Sequence, residues 1–252
     1  MKLVKGKNVK DFVIPEGVTE ICAGAFANCD KLEKVVVPEG VEIIGEGAFR
    51  DCGNLKEINL PEGVKRIGAA AFFCTALIEI NIPESVKQIG VSAFRGTCIE
   101  KITIPNGLQS ISAEMFMACN NLKEVNIPDS VSGIESSAFA GCRELENIVL
   151  PETVRTLGSE CFSDCASIES FIIPEKVEVI PKGCFRNCIN LKNVVLPSNL
   201  KEIEGIAFGR CFAMEELIVP TGVKYYQNSF PPNAIVMEDD AKSDFLFEDH
   251  EM

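Results

Sequence analysis

Twelve cysteines are the most reactive set in this 252-residue chain, and four of them have the spacing of a metal or redox centre. Cys161, Cys165, Cys184 and Cys188 form two C-x-x-x-C pairs 23 residues apart, and two such thiolate pairs can converge on one tetrahedral ion. Two observations weigh against that use. Cys161 and Cys184 stand where neighbouring segments carry alanine, so they substitute for a small packing residue. The chain's one histidine is His250, three residues from the end of the sequence, so no imidazole supports a metal site from the repeats. The same shortage leaves no Ser/His/Asp triad, Cys/His dyad or histidine-based zinc site to build. No G-x-G-x-x-G or G-x-x-x-x-G-K-[ST] cradle occurs, and the carboxylates are scattered without a pair that stands out as acid and base. The expectation is a chain without metal, cofactor or catalysis, whose cysteines are mostly small buried apolar side chains.

Charge narrows the partners. The net charge is −13, and residues 238–252 contribute seven acids against Lys242, a local −6 that leaves −7 for the remainder. A field of that sign repels phosphate, so nucleic acid and anionic membrane surfaces are not expected partners. No stretch reaches the eighteen apolar residues of a membrane span, and MKLVKGKNVKDFVIPEG lacks the apolar centre of a signal peptide. As written, the chain is expected to be cytoplasmic, where unpaired thiols persist. A cell-surface or secreted location would require a missing leader or non-classical export.

The elements that place these residues follow from a repeat. Ten prolines, Pro15, Pro38, Pro61, Pro83, Pro105, Pro128, Pro151, Pro174, Pro197 and Pro220, recur at steps of 22 or 23. Eleven residues after each of the first nine stands a phenylalanine, in order Phe26, Phe49, Phe72, Phe94, Phe116, Phe139, Phe162, Phe185 and Phe208, and ten residues after Pro220 stands Phe230. Three residues further on, seven repeats place a cysteine: Cys29, Cys52, Cys119, Cys142, Cys165, Cys188 and Cys211. The two 22-residue repeats carry Thr75 and Thr97 there and have one residue fewer before the next apolar anchor.

The unit reads L-x-x-[IV]-x-[ILV]-P-x-x-[VL]-x-x-[IL]-x-x-x-A-F-x-x-C, as in LEKVVVPEGVEIIGEGAFRDC. Its L-x-x-L-x-L core is a leucine-rich-repeat signature. With proline closing the strand and A-F-x-x-C in the return, it resembles the BspA-like, or Treponema-type, leucine-rich repeats over roughly residues 9–230. That resemblance implies an α/β repeat solenoid, a right-handed superhelix with a parallel stacked sheet of about ten 22–23-residue repeats. It also implies protein binding, in many members at the cell surface as adhesins for host or microbial proteins.

The residues support this unit by unit. In Leu55–Leu60, Leu55, Ile58 and Leu60 face inward while Glu57 and Asn59 face out, the alternation of a strand. Pro61 ends the ladder because it has no N–H, and Glu62-Gly63 turns the chain. Val64 and Ile67 re-enter the core, a second short strand is possible there, and Gly68–Phe72 is expected to form a short helical turn that buries Phe72. Ten rungs at about 4.8 Å give a sheet about 48 Å long. Residues 1–14 are read as an N-terminal cap and first strand, 15–230 as the solenoid, and 231–252 as a cap strand near Ala234–Met237 with an acidic tail. The tail is expected to be a disordered solubilising end, with Phe245-Leu246-Phe247 as a possible docking motif or cap.

Outward strand positions align into columns. Two of them alternate charge along the solenoid: Asp11, Lys34, Glu57 and onward, and Lys10, Glu33, Lys56 and onward. The third is sorted into blocks. Its centre is polar, Asn59, Asn81, Thr103 and Asn126, and its end is apolar, Val149, Ile172, Val195 and Ile218. These eight residues are the candidate ligand-binding face, and the expected partner is a protein docking on a monomer.

Overall fold

In the computed structural model, which describes residues 1–3 and 5–239, each repeat makes one turn about a common axis. A front strand leads up to nine of the ten ruler prolines, Pro83 being the exception: Asp11–Val13, Lys34–Val36, Glu57–Asn59, Lys101–Thr103, Glu124–Asn126, Asn147–Ile148, Ser170–Ile172, Asn193–Val195 and Glu216–Pro220. After the proline, a shorter back strand such as Ile43–Ile44 or Arg66–Ile67 supplies the second strand that the sequence permitted. Equivalent strands pair in parallel with matched register, Val35 opposite Ile58 in front and Ile44 opposite Ile67 behind. The corner between them is a turn closed by the proline carbonyl, which accepts Val18 N–H from Pro15 at 3.4 Å and Val64 N–H from Pro61 at 3.1 Å. Gly17 and Gly40, third in their turns, have φ of 79° and 92°, the left-handed geometry that a type II turn requires.

The return arm departs from the expected α element. Ala70 in Gly68–Phe72 has a φ of 51°, and its N–H donates to Val91 O in the next repeat at 2.8 Å. Left-handed residues recur two positions before and two after the phenylalanine, as at Gly24 and Asn28. This alternation points every second N–H at the neighbouring repeat: Gly24, Phe26 and Asn28 donate to Glu46, Ala48 and Arg50, each within 2.8 Å. A helix would satisfy these groups along its own chain and leave the repeats unjoined on this side. The α component is therefore corrected to a third inter-repeat ladder. Among the described residues the only helical segment is the 3-10 turn Gln227–Ser229. The fold is a parallel β-solenoid.

Its core is one continuous cluster. Nine of the repeat phenylalanines, Phe26 through Phe208, are fully buried, and Phe230 is half-buried at the last turn. Their rings lie parallel within 14°, with centroids 5.0 Å apart at Phe26–Phe49 and 6.1 Å at Phe208–Phe230. Edge-on aromatics close both ends of the stack, Phe12 against Phe26 and Tyr225 against Phe230. At the C-terminal end a front strand, Ile235–Asp239, pairs with Glu216–Pro220 and extends the Ala234–Met237 strand expected from sequence.

The column cysteines are buried hydrogen-bond donors as well as packing residues. The thiols of Cys52, Cys119, Cys142, Cys165, Cys188 and Cys211 each reach the carbonyl of the preceding repeat's phenylalanine, at 3.0 Å for Cys52 to Phe26 and 3.2 Å for Cys165 to Phe139. In the short repeats Thr75 donates instead to its own Phe72 carbonyl at 3.0 Å, and Thr97 lies 3.3 Å from the Cys119 sulfur. Burial pushes these thiols up, Cys119 to about 11 and Cys52 and Cys211 to about 12, because an apolar interior penalises the thiolate.

Two predictions follow from this core. Because the folded thiols bind their protons more tightly than the unfolded ones, stability is undiminished below the ordinary thiol range and falls as pH rises from about 9 toward 12. Each thiol adds at most about 1.4 kcal/mol of loss per pH unit, so a Cys52→Ser, Cys211→Ser double variant should show a shallower alkaline decline in denaturant midpoint than the wild type. Ile206, a β-branched residue at a φ of 54°, occupies a turn position held elsewhere by Gly24, Gly47 and Gly183. Ile206→Gly should raise stability by about 1 kcal/mol, seen as a higher urea midpoint, and a lower midpoint would show that the half-buried side chain outweighs the strain.

Candidate protein-docking face

The front strands place the third outward column where sequence alternation put it. Val149, Ile172, Val195 and Ile218 are 80%, 67%, 56% and 57% exposed, one per rung, with Ile172 directly opposite Val195. The C-terminal strand lengthens the block. Met237 pairs with Ile218 and is 40% exposed, adding a fifth apolar side chain to the column. The last repeat has lost the markers that would have aligned Met237 from sequence. Its only signal was the short apolar run Ala234–Met237.

The polar block does not behave as one surface. Asn59 turns its side-chain amide back onto the preceding rung, accepting Val37 N–H at 3.0 Å and donating to Val37 O at 3.1 Å. It thereby stands in for the ladder bonds that other rungs make with main chain, as Ile14 N–H does to Val36 O at 3.0 Å. The substitution falls where the front sheet opens, since residues 78–82 form no strand. The preceding turn, Thr75-Ala76-Leu77, is one residue shorter than Cys52-Gly53-Asn54-Leu55. Asn126 donates weakly to Thr103 Oγ1 at 3.3 Å, while Asn81 stands exposed on the interrupted rung. A shallow trough lies over that rung, with Asn59, Ile78, Asn81, Lys101 and Asn126 on its walls.

Charged flanks are largely self-compensating. Lys34 pairs with Glu57 and Lys101 with Glu124, both at 2.7 Å, and Lys192 with Glu169 at 3.2 Å. The Lys34 ammonium holds the exposed Glu57 carboxyl below its usual range. Such solvent-screened pairs set local charge more than stability. Beside Val149, Ile172 and Val195 the adjoining column is neutral, with Asn147, Ser170 and Asn193, and it becomes charged again at Glu216 beside Ile218. A cleft opens there, because Asn193–Val195 and Glu216–Pro220 are successive front strands that do not pair. Val194 and Leu196 are half-buried, and the cleft is bounded by Glu175, Val195, Leu196, Ile218, Pro220, Thr221 and Asp239.

The four cysteines with metal spacing are divided by the fold. Cys161 and Cys184 bring their sulfurs to 3.5 Å of each other in the buried core. Cys165 and Cys188 instead turn to the Phe139 and Phe162 carbonyls. Among the described residues no three cysteine, histidine or acidic side chains are grouped to hold an ion, and no helix is long and apolar enough to cross a membrane. The Phe245-Leu246-Phe247 motif, most of the acidic tail and His250 lie outside the described residues.

A leucine-rich cell surface protein from Faecalibacterium prausnitzii superposes with a TM-score of 0.60 at 24% identity, over 98% of this chain and 92% of that one. A leucine-rich repeat protein from Bacteroides ovatus gives 0.47 at 24% identity, over 94% of each chain. The leucine-rich repeat protein of T. pallidum gives 0.40 at 26% identity, over 82% of this chain and 79% of that one. No curated protein matches the chain. The family model for the BspA type leucine rich repeat region matches residues 2–123 and 109–233, almost the whole described solenoid. The stacked phenylalanines, the strand-ending prolines and this match identify the chain as a member of the BspA-type leucine-rich repeat family.

Proposed function

We propose that this protein is a non-enzymatic interaction scaffold that binds a protein partner through its front face, with Val149, Ile172, Val195, Ile218 and Met237 as the contact. The observation that carries this reading is the succession of five exposed apolar side chains on consecutive rungs of one face, with the neutral Asn147, Ser170 and Asn193 beside the first three. Apolar residues exposed singly are ordinary, but a contiguous row with a polar rim has the anatomy of an interface core. The polar block contributes less, because Asn59 spends its amide on the neighbouring rung. Its remaining members, Asn81, Thr103 and Asn126, orient the partner by hydrogen bonds. Repeat surfaces of this family generally serve protein interaction, which fits the reading.

An internal scaffold is preferred to a surface adhesin because all twelve cysteines are unpaired, a state suited to a reducing compartment. The adhesin reading draws its support from the cell-surface description of the Faecalibacterium prausnitzii relative.

Replacing Ile172 and Val195 by lysine should weaken partner capture about tenfold or more, since charge would be buried at the centre of the contact. The thermal melting temperature should hold, because both side chains already face solvent. Asn81→Ala should cost much less. Undiminished capture by the double lysine variant, with an unchanged melt, would remove the apolar row as the site.

A further inference from the structure

We propose that Cys161 and Cys184 are a disulfide-forming pair, closing one covalent link between the seventh and eighth turns when the chain folds in the presence of a small-molecule disulfide.

The pair exists because both turns carry cysteine at the position that Ala138 and Ala207 fill in the turns on either side. Each thiol makes its side-chain hydrogen bond to the other, with the sulfurs 3.5 Å apart in the core. Cys165 and Cys188 stand on the same two turns, yet their thiols are spent on the Phe139 and Phe162 carbonyls. Cys52, Cys119, Cys142 and Cys211 are spent in the same way. The stack sets the register of the pair. Cys161 and Cys184 directly precede Phe162 and Phe185, whose rings lie 5.6 Å apart and within 11° of parallel, and Phe162 N–H donates to Cys184 O at 2.9 Å. Equivalent residues on successive parallel rungs are about 4.8 Å apart, inside the span of about 4.4–6.8 Å between the Cα atoms of disulfides. A bond of about 2.0 Å then leaves about 1.5 Å for the sulfurs to close.

Both side chains are sealed from solvent in the finished fold, so the exchange belongs to folding, before the neighbouring turns cover them. One cysteine, as its thiolate, attacks oxidised glutathione. The glutathione S–S bond breaks, one glutathione thiolate leaves, and a mixed disulfide forms. The second cysteine thiolate attacks the protein sulfur of that mixed disulfide and expels the other glutathione. The two cysteines give up two protons and two electrons, and oxidised glutathione is reduced to two thiols. In the product the link ties together turns that need it. Ser170–Ile172 and Asn193–Val195 pair with each other and with no further front strand, and the bond joins the same two turns on the return-arm side. Closing the loop 161–184 also restricts the unfolded chain, which adds stability to the folded one.

The test refolds the reduced, denatured full-length chain in a buffer of reduced and oxidised glutathione, blocks the remaining thiols with N-ethylmaleimide, and maps the peptides by mass spectrometry. Expected are ten blocked cysteines, two fewer than the twelve in the sequence, and one linked peptide pair joining Cys161 to Cys184. The urea midpoint of the linked protein should fall when a reductant is added. Cys184→Ala restores the residue of the flanking turns, so it should fold without the link and keep a midpoint that reductant does not move. Twelve blocked cysteines in folded protein, or a link between any other pair, would overturn the proposal. An equal fall of the midpoint on reduction in wild type and Cys184→Ala would also overturn it.

Discussion

Parallel stacking of one phenylalanine on the next is the constraint from which the other features of this solenoid follow. Each ring has a neighbour of the same kind at nearly the same tilt, 1° between Phe49 and Phe72 and 2° between Phe139 and Phe162. Removing one such ring from a packed core typically costs about 3–5 kcal/mol, so the stack strongly favours one register between successive repeats. Slippage by one residue would expose the ring and point every inward strand side chain at solvent. The return-arm ladder, the thiols that reach the preceding phenylalanine carbonyl, and the outward columns all inherit this register.

Much of this was legible in the sequence because it recurs. Pro15 to Pro220 mark where strands must stop, Phe26 to Phe208 mark the interior, and period-two alternation assigned Val149, Ile172, Val195 and Ile218 to the outer face. The return arm misled because Gly-Ala-Ala-Ala-Phe has good local helix propensity, while its backbone groups are claimed by neighbouring repeats. Ala70 therefore takes a left-handed conformation that propensity alone argues against. The front-sheet opening at residues 78–82 was foreshadowed by the two 22-residue repeats, but the answering turn of Asn59 onto Val37 had no signal in the residue types. The failure of Asn193–Val195 to pair with Glu216–Pro220 has none either.

Function enters where the repeat stops being uniform. Buried columns are nearly invariant along the axis, because each rung must match its neighbours. The third outward column is free of that demand, and there the chain changes from asparagine and threonine to valine and isoleucine. Several flanking charges pair along the axis, and they give way to Asn147, Ser170 and Asn193 beside Val149, Ile172 and Val195. Six of the column cysteines, which look like the chemistry of the molecule, are held as hydrogen-bond donors inside the core. What remains for recognition is surface shape and apolar area on one face.

The claim that this face does the recognising is tested most directly by site-specific photo-crosslinking. A benzophenone side chain would be placed in turn at Ile172 and Val195 on the front strands, and at Val179, an exposed position on a back strand. All three positions face solvent, so the substitutions leave the phenylalanine stack untouched. Irradiation in the producing cell should give a covalent adduct of one discrete mass from positions 172 and 195 and none from 179. Adducts from position 179 alone would place the partner on the opposite side of the solenoid and contradict the account.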